Sequence, residues 1–204
     1  MPFKINDFKK NLTYGGARPS LFQVELALPT QLGDAVNNGV DGRGLTGVTQ
    51  KLTFLANATT IPGSKIPEIS VPYFGRKVKV AGAREFADWT VTIINDEDFL
   101  VRKALEHWMA SINGHSTNIR NSGVNASPSS YQATGYVKHY SKGPTENPIR
   151  SYKFVNIFPT DIAEIELSWA STDAIEEFRV TFAYDWWEID TSGDITPPTG
   201  NSLA

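Results

Sequence analysis

Cysteine is missing from all 204 residues, so no disulfide framework, thiolate chemistry or Cys-based metal site is open to this chain. No apolar run is continuous enough to cross a bilayer as a helix. The opening MPFKINDFKK is basic but lacks an apolar core followed by a small-residue cleavage site, so no secretory signal is expected. Charge of neither sign dominates, since 19 basic and 22 acidic residues leave a formal −3. Bulk-charge binding of nucleic acid needs clustered Lys and Arg, and that class is disfavoured. A protein past which nucleic acid slides is not excluded.

Signatures of chemistry are equally scarce. GVDGRGLTG, residues 39–47, is glycine-rich but lacks the Gly-Lys-Ser/Thr ending of a phosphate loop. His107, His115 and His139 have no companions at metal-ligand spacing, and His107 falls on the polar flank of an expected helix. Asp96 and Asp98 lack the twelve-residue calcium pattern, and helix capping accounts for them. No Gly-x-Ser-x-Gly elbow occurs and no carboxylate pair stands out for acid–base work. The Asn-x-Ser/Thr triplets at Asn11, Asn57 and Asn125 mean little without a secretion signal. No catalytic, cofactor or metal site is therefore expected.

What is present suits a globular chain. Apolar residues make up 40% and aromatics 11%, and the length fits one domain with a sizeable core. Residues 20–28 alternate Phe22, Val24, Leu26 and Leu28 with Gln23, Glu25 and Ala27, the period of a half-buried strand. Residues 29–50 read as a long Gly- and Asn-rich loop, and residues 51–62 resume as a strand. The cleanest strand is EEFRVTFAYDWWEI, with Phe178, Val180, Phe182, Tyr184 and Trp186 on one face as core. Only NDEDFLVRKALEHWMASIN reads as a helix. Asn95 or Asp96 is its expected N-cap, Glu97 and Asp98 lie in its first turn, and Val101, Leu105, Trp108 and Ile112 form its stripe.

Between these lies SVPYFGRKVKVAGAREFADWTVTIINDED, residues 70–98. Val71 and Tyr73 share one parity, while Val78 and Val80 share the other. A β-bulge at Tyr73-Phe74-Gly75 produces such a phase break, and residues 89–94 then form the return strand. A strand pair extending past its own sheet leaves backbone groups unpaired, which proteins cover or use for assembly. The simpler reading is a curved hairpin in a closed monomeric barrel.

RPSLFQVEL, IPEISVPYFGRKVKVAGAREFADWTVTIINDED, IFPTDIAEIELSWAS and EEFRVTFAYDWWE occur in this order over residues 18–188. Together they resemble the tail-tube proteins of contractile-tailed bacteriophages. The specific marks are Arg18-Pro19, Arg76-Lys77 before VAG, Asp88-Trp89-Thr90-Val91, Asn95-Asp96-Glu97 and Phe158-Pro159-Thr160. The resemblance departs at residues 29–50, at residues 114–131 and after Glu188. It implies one tail-tube domain over residues 1–204, with a core at 18–188 and an N-terminal arm at 1–17. Loop insertions fall at 29–50 and 114–131, and a mobile tail at 189–204.

The implied fold is mainly β: two packed antiparallel sheets, sandwich- or barrel-like, with one flanking helix. Inner sheets join between subunits into a ring-shaped barrel. Six subunits make the ring, and rings stack into a hollow tube inside a contractile sheath in the virion, assembled in the host cytoplasm. The implied partners are the chain itself, the sheath, the tape-measure protein, baseplate or initiator proteins and the tail terminator. Double-stranded DNA transits the bore without specific binding. Interfaces of this obligate kind bury on the order of 2,000 Å² or more. Candidate subunit or ring contacts are Arg76, Lys77, Lys79, Arg84, Asp88, Asp41, Arg43, Phe3 and Phe8. Lys77 and Lys79, with Arg76 and Arg84, are expected to meet carboxylates between subunits or rings, a solvated polar face being the alternative, and the arm to dock on an adjacent ring. The alternatives are the tube of a DNA-free injection machine (tailocin, extracellular particle or type VI system) and a carbohydrate-binding or enzymatic β-sandwich.

Overall fold

Alternating apolar side chains set the strands, and one unusually long strand ties them together. The computed structural model describes residues 4–12, 16–29, 32, 44–119, 127–143 and 148–190. Its strands are β1 (Phe22–Ala27), β2 (Ala56–Thr59), β3 (Glu68–Tyr73), β4 (Arg76–Ala81), β5 (Trp89–Ile94), β6 (Ala133–Tyr140), β7 (Pro148–Ile162), β8 (Glu177–Ala183) and β9 (Trp186–Ile189). Its helices are α1 (Ile5–Asn11), α2 (Gly44–Leu55), α3 (Leu100–Ile112) and α4 (Pro128–Tyr131). The main strands lie in the order β1-β6-β7-β8-β5-β2, all antiparallel, with β9 also on β7. β3 and β4 pair only with each other.

β7 serves two antiparallel sheets because it bends. Its first part pairs with β6 and β9, and its last part with β8. The bend is at Asn156, where the register with β6 skips a residue and φ is 59°. Its Nδ2 donates to Asp185 Oδ2 at 2.6 Å, and the Asp185 amide donates to the Val155 carbonyl at 3.1 Å. A bulge of this kind re-aims a strand from one sheet to the next. The core sits between the sheets. Trp89 stacks on Phe154 at 4.4 Å, and Phe182 lies 5.4 Å from Trp89. A Cβ at Gly135 would meet Trp89 and Ile157 at 3.3 Å, so the ring packs directly on backbone.

The helix of the 95–113 segment is α3, and it buries Leu100, Val101, Ala104, Leu105 and Trp108 against the sheets. Its indole Nε1 donates to the Tyr131 carbonyl at 2.8 Å. The start differs from the expected cap. Phe99, at φ 54°, holds the N-cap position, and Asp98 Oδ1 accepts the Leu100 amide at 3.0 Å. Asn95 instead reaches Glu176, and Asp96 accepts the amide of Glu97.

Three further expectations are corrected. Residues 44–55, read as loop and strand, form α2, because Leu45, Val48, Leu52 and Leu55 recur at helical spacing. Strand β2 begins only at Ala56. The single strand over residues 176–189 is broken at Tyr184 and Asp185, where the chain crosses between sheets. Phe178, Val180 and Phe182 are buried, but Trp186 is 44% exposed. The break at residues 73–75 is a hairpin turn, described next. Of the other expected segments, residues 33–43, 120–126 and 191–204 lie outside the described residues. Within the 114–131 insertion, residues 128–131 form α4.

Candidate assembly interface

A hairpin that reverses in two residues changes parity across the turn just as a bulge does, which is why the two were indistinguishable in sequence. Here Phe74 and Gly75 make that turn, with φ of 43° and 78°. Two left-handed positions are the mark of a primed two-residue turn. The pairs are Ile69 with Val80, Val71 with Val78, Tyr73 with Arg76, and Pro72 with Lys77. The return strand of this ribbon is therefore β4, and residues 89–94 pair with β8 and β2 instead.

Pairing sorts the ribbon into two faces. Ile69, Val71, Tyr73, Val78 and Val80 line one side, and all five are exposed. Glu68, Ser70, Lys77 and Lys79 line the other. Six residues per strand carry the ribbon about 20 Å from its root. A lone two-stranded ribbon is marginal in water, and an exposed apolar stripe on one is unusual without a partner. The ribbon is anchored at its root by the mutual backbone hydrogen bonds of Lys65 and Glu85.

The site residues expected from sequence fall in three places. Arg76, Lys77 and Lys79 are on β4, with Arg84 and Asp88 exposed at the root. Lys79 finds a carboxylate within its own ribbon, Glu68 at 2.7 Å. Arg76, Lys77 and Arg84 make no ion pair among the described residues. Tyr184 lies beside the root, its hydroxyl pKa raised by burial and then by the charge of Asp88. Phe8 is on α1, 67% exposed and far along the chain from the ribbon. Together with Ile5 and Leu12 it forms an apolar face on a helix that buries none of its residues. Phe3, Asp41 and Arg43 lie outside the described residues.

Sequence reading missed Phe74, 91% exposed at the tip, although Gly75 beside it was a turn signal. It also missed the segment joining β7 to β8. There Leu167, Trp169 and Ile175 stand in solvent, with Trp169 fully exposed. Over residues 161–177 the acids are Asp161, Glu164, Glu166, Asp173, Glu176 and Glu177, with no Lys or Arg between them. This segment folds around a pocket of about 310 Å³ lined by Ile165, Glu166, Leu167, Ala174 and Ile175, among others.

No group of three or more His, Asp or Glu among the described residues is placed to hold a metal. Nor is any described helix long and apolar enough to cross a membrane. The arrangement offers contact surfaces rather than a reactive centre among the described residues. A family model described as "Phage tail tube protein" matches residues 17–190. The tail tube protein gp19 of Enterobacteria phage T4 is 32% identical over 172 residues, covering 84% of this chain and 91% of the relative. Among solved structures, a chain of an extracellular contractile injection system's sheath–tube complex superposes with a TM-score of 0.53. It is 12% identical and covers 93% of this chain and 99% of its own. The tube-terminating cap of the anti-feeding prophage gives 0.55 at 15% identity, covering 86% and 91%.

Proposed function

This chain belongs to the phage tail tube protein family, and from that premise we propose that six copies close into a ring and rings stack into a hollow tube. Its role is structural, in a family of tube subunits and not of enzymes. The tube lies inside a contractile sheath, houses the tape-measure protein while the tail is built, and passes double-stranded DNA when the sheath contracts. A baseplate initiator and a tail terminator define its ends, and assembly takes place in the host cytoplasm. The whole chain acts as one tail-tube unit, with residues 18–188 as its core.

The observation that carries this reading is the uncovered apolar face of the β3–β4 ribbon. A sheet element that leaves its own domain with that face bare is completed by another copy, and closure into a ring removes open strand edges. Arg76, Lys77, Arg84 and Asp88 belong to the same contact, because they surround the ribbon and its root. Phe3, Phe8, Asp41 and Arg43 are assigned to contacts between rings. The bare apolar face of α1 supports this for Phe8. Lys79, already held by Glu68, contributes through that pair.

Electron microscopy of the purified chain, alone and with its baseplate and sheath partners, tests the proposal. Wild type should give rings or hollow tubes. Val71→Asp, which puts a charge in the middle of the stripe, should keep the far-UV spectrum of wild type and remain a monomer. A wild-type chain that stays monomeric under every one of these conditions overturns the tube. The phage T4 relative, 32% identical, favours a phage tail, and assembled particles that carry no nucleic acid would move the chain to the injection-machine reading.

A further inference from the structure

The ribbon and the acidic segment sit at opposite ends of the same strand. β5 begins at Trp89, opposite Phe182, just past the ribbon's root; it ends at Ile94, opposite Glu177, just past the acidic segment. Six residues of strand, about 20 Å, separate the two ends. Phe74 is 91% exposed and Tyr73 63%, so the tip does not occupy the pocket of its own chain. Between copies, the same geometry is that of a plug and a socket.

The two surfaces match in chemistry. The tip offers an aromatic ring, Phe74, flanked by Tyr73 at 4.7 Å between ring centroids and by Arg76 and Lys77, cations with no ion pair among the described residues. The socket mixes apolar side chains, Ile165, Leu167, Ala174 and Ile175, with the carboxylates of Glu166, Glu176 and Glu177. Glu176 and Glu177 accept hydrogen bonds from Asn95 and Asn57, Glu166 is exposed, and none of the three makes an ion pair among the described residues. Phe74 itself is a poor choice for local structure. Its position is left-handed, where Gly or Asn is favoured, and its side chain touches little within its own subunit. A bulky residue kept in that conformation and in solvent points to a use outside the chain.

We infer that the ribbon tip of one copy, Phe74 with Arg76 and Lys77, inserts into the acidic pocket formed by residues 163–177 of a neighbouring copy. The contact is heterologous, so each copy gives a tip and receives one, and repetition builds a closed ring or an unending stack. The inference rests on the tube reading above and adds the receiving surface to it. Charge complementarity speeds and aligns docking, while the buried ring supplies the anchor.

The absence of native cysteine makes the test clean. Phe74→Cys with Ile175→Cys, oxidised in wild-type-like assemblies, should give a ladder of covalent multimers on a denaturing gel, and neither single variant should. Arg76→Glu with Lys77→Glu should raise the concentration needed for assembly at least about tenfold, as should Glu166→Lys. Combining the two reversals should restore most of the loss. Phe74→Asn should leave the subunit as stable as wild type or more so, yet weaken self-association. Tubes that form normally with no ladder and no response to either reversal overturn this contact and leave the tube reading standing. A wild type that never self-associates removes both.

Discussion

Lys51 reaches from α2 to the turn before α3, where its Nζ donates to Asp96 at 2.6 Å and to Asp98. Burial alone lowers a lysine's pKa. Here the hydrogen bonds and charges of two carboxylates outweigh it, and the ammonium titrates above its ordinary 10.5. Asp96 is held below its ordinary 3.8, chiefly by the Lys51 hydrogen bond and then by the Glu97 amide. A depressed carboxylate contributes stability that is present above its unfolded value and lost as pH falls through its lowered folded value. The raised lysine does the reverse, contributing below 10.5 and losing that contribution as pH rises through its folded value. Lys51→Met should therefore have a lower urea midpoint than wild type at neutral pH. The gap should close as pH drops below 3.8. A gap of constant size down to about pH 2.5 would assign the effect of the substitution to packing instead.

At the scale of elements, β7 depends on one residue to change sheets. Asn156 occupies the left-handed region at φ 59°, and its amide ties Asp185 across the corner. A Cβ-bearing residue without a local hydrogen bond costs roughly 1–2 kcal/mol there, whereas Gly takes that conformation freely. Asn156→Ala should thus destabilise the subunit to urea by about 1–2 kcal/mol more than Asn156→Gly does. Equal losses would mean that the Asp185 hydrogen bond, and not the backbone, holds the bend. Such corners are where the sequence was hardest to read. Tyr184-Asp185 interrupts an aromatic row whose parity runs on undisturbed, so nothing in the pattern announces that β8 ends and β9 begins. α2 was hidden differently. Its stripe of Leu45, Val48, Leu52 and Leu55 is helical, but Gly44, Gly47 and four β-branched residues argue locally against a helix, and packing on β1 overrides them. The strands β1, β5 and β8 and the body of α3 were legible because each has one wet face and one dry face. The ribbon was legible as polar and overlong, but its partner was not. Parity alone does not separate a turn from a bulge, and an exposed Trp169 looks in sequence like any other apolar residue.

For the molecule as a whole, the question is how the proposed tube, with cations along its ribbon, would let DNA pass. The formal charge is −3, yet Arg76 and Lys77 at the ribbon's tip and Arg84 at its root are without ion partners among the described residues. Three such cations are enough for weak binding to a duplex by counterion release. The expected slope of log affinity against log salt is about −2.7, or about a 40-fold loss between 50 and 200 mM salt. If the tip docks as inferred above, the carboxylates of the neighbouring copy neutralise it, and the bore would meet the duplex without that patch. The isolated subunit, kept monomeric by Val71→Asp, should therefore retain duplex DNA at low salt and release it steeply as salt rises. Wild-type tubes, compared at equal subunit concentration, should retain less at every salt. Filter binding over a salt series reads both. Tubes that hold DNA more tightly than the monomer would place the ribbon's cations facing the bore, and would make passage of the genome a matter of repeated binding and release instead of sliding.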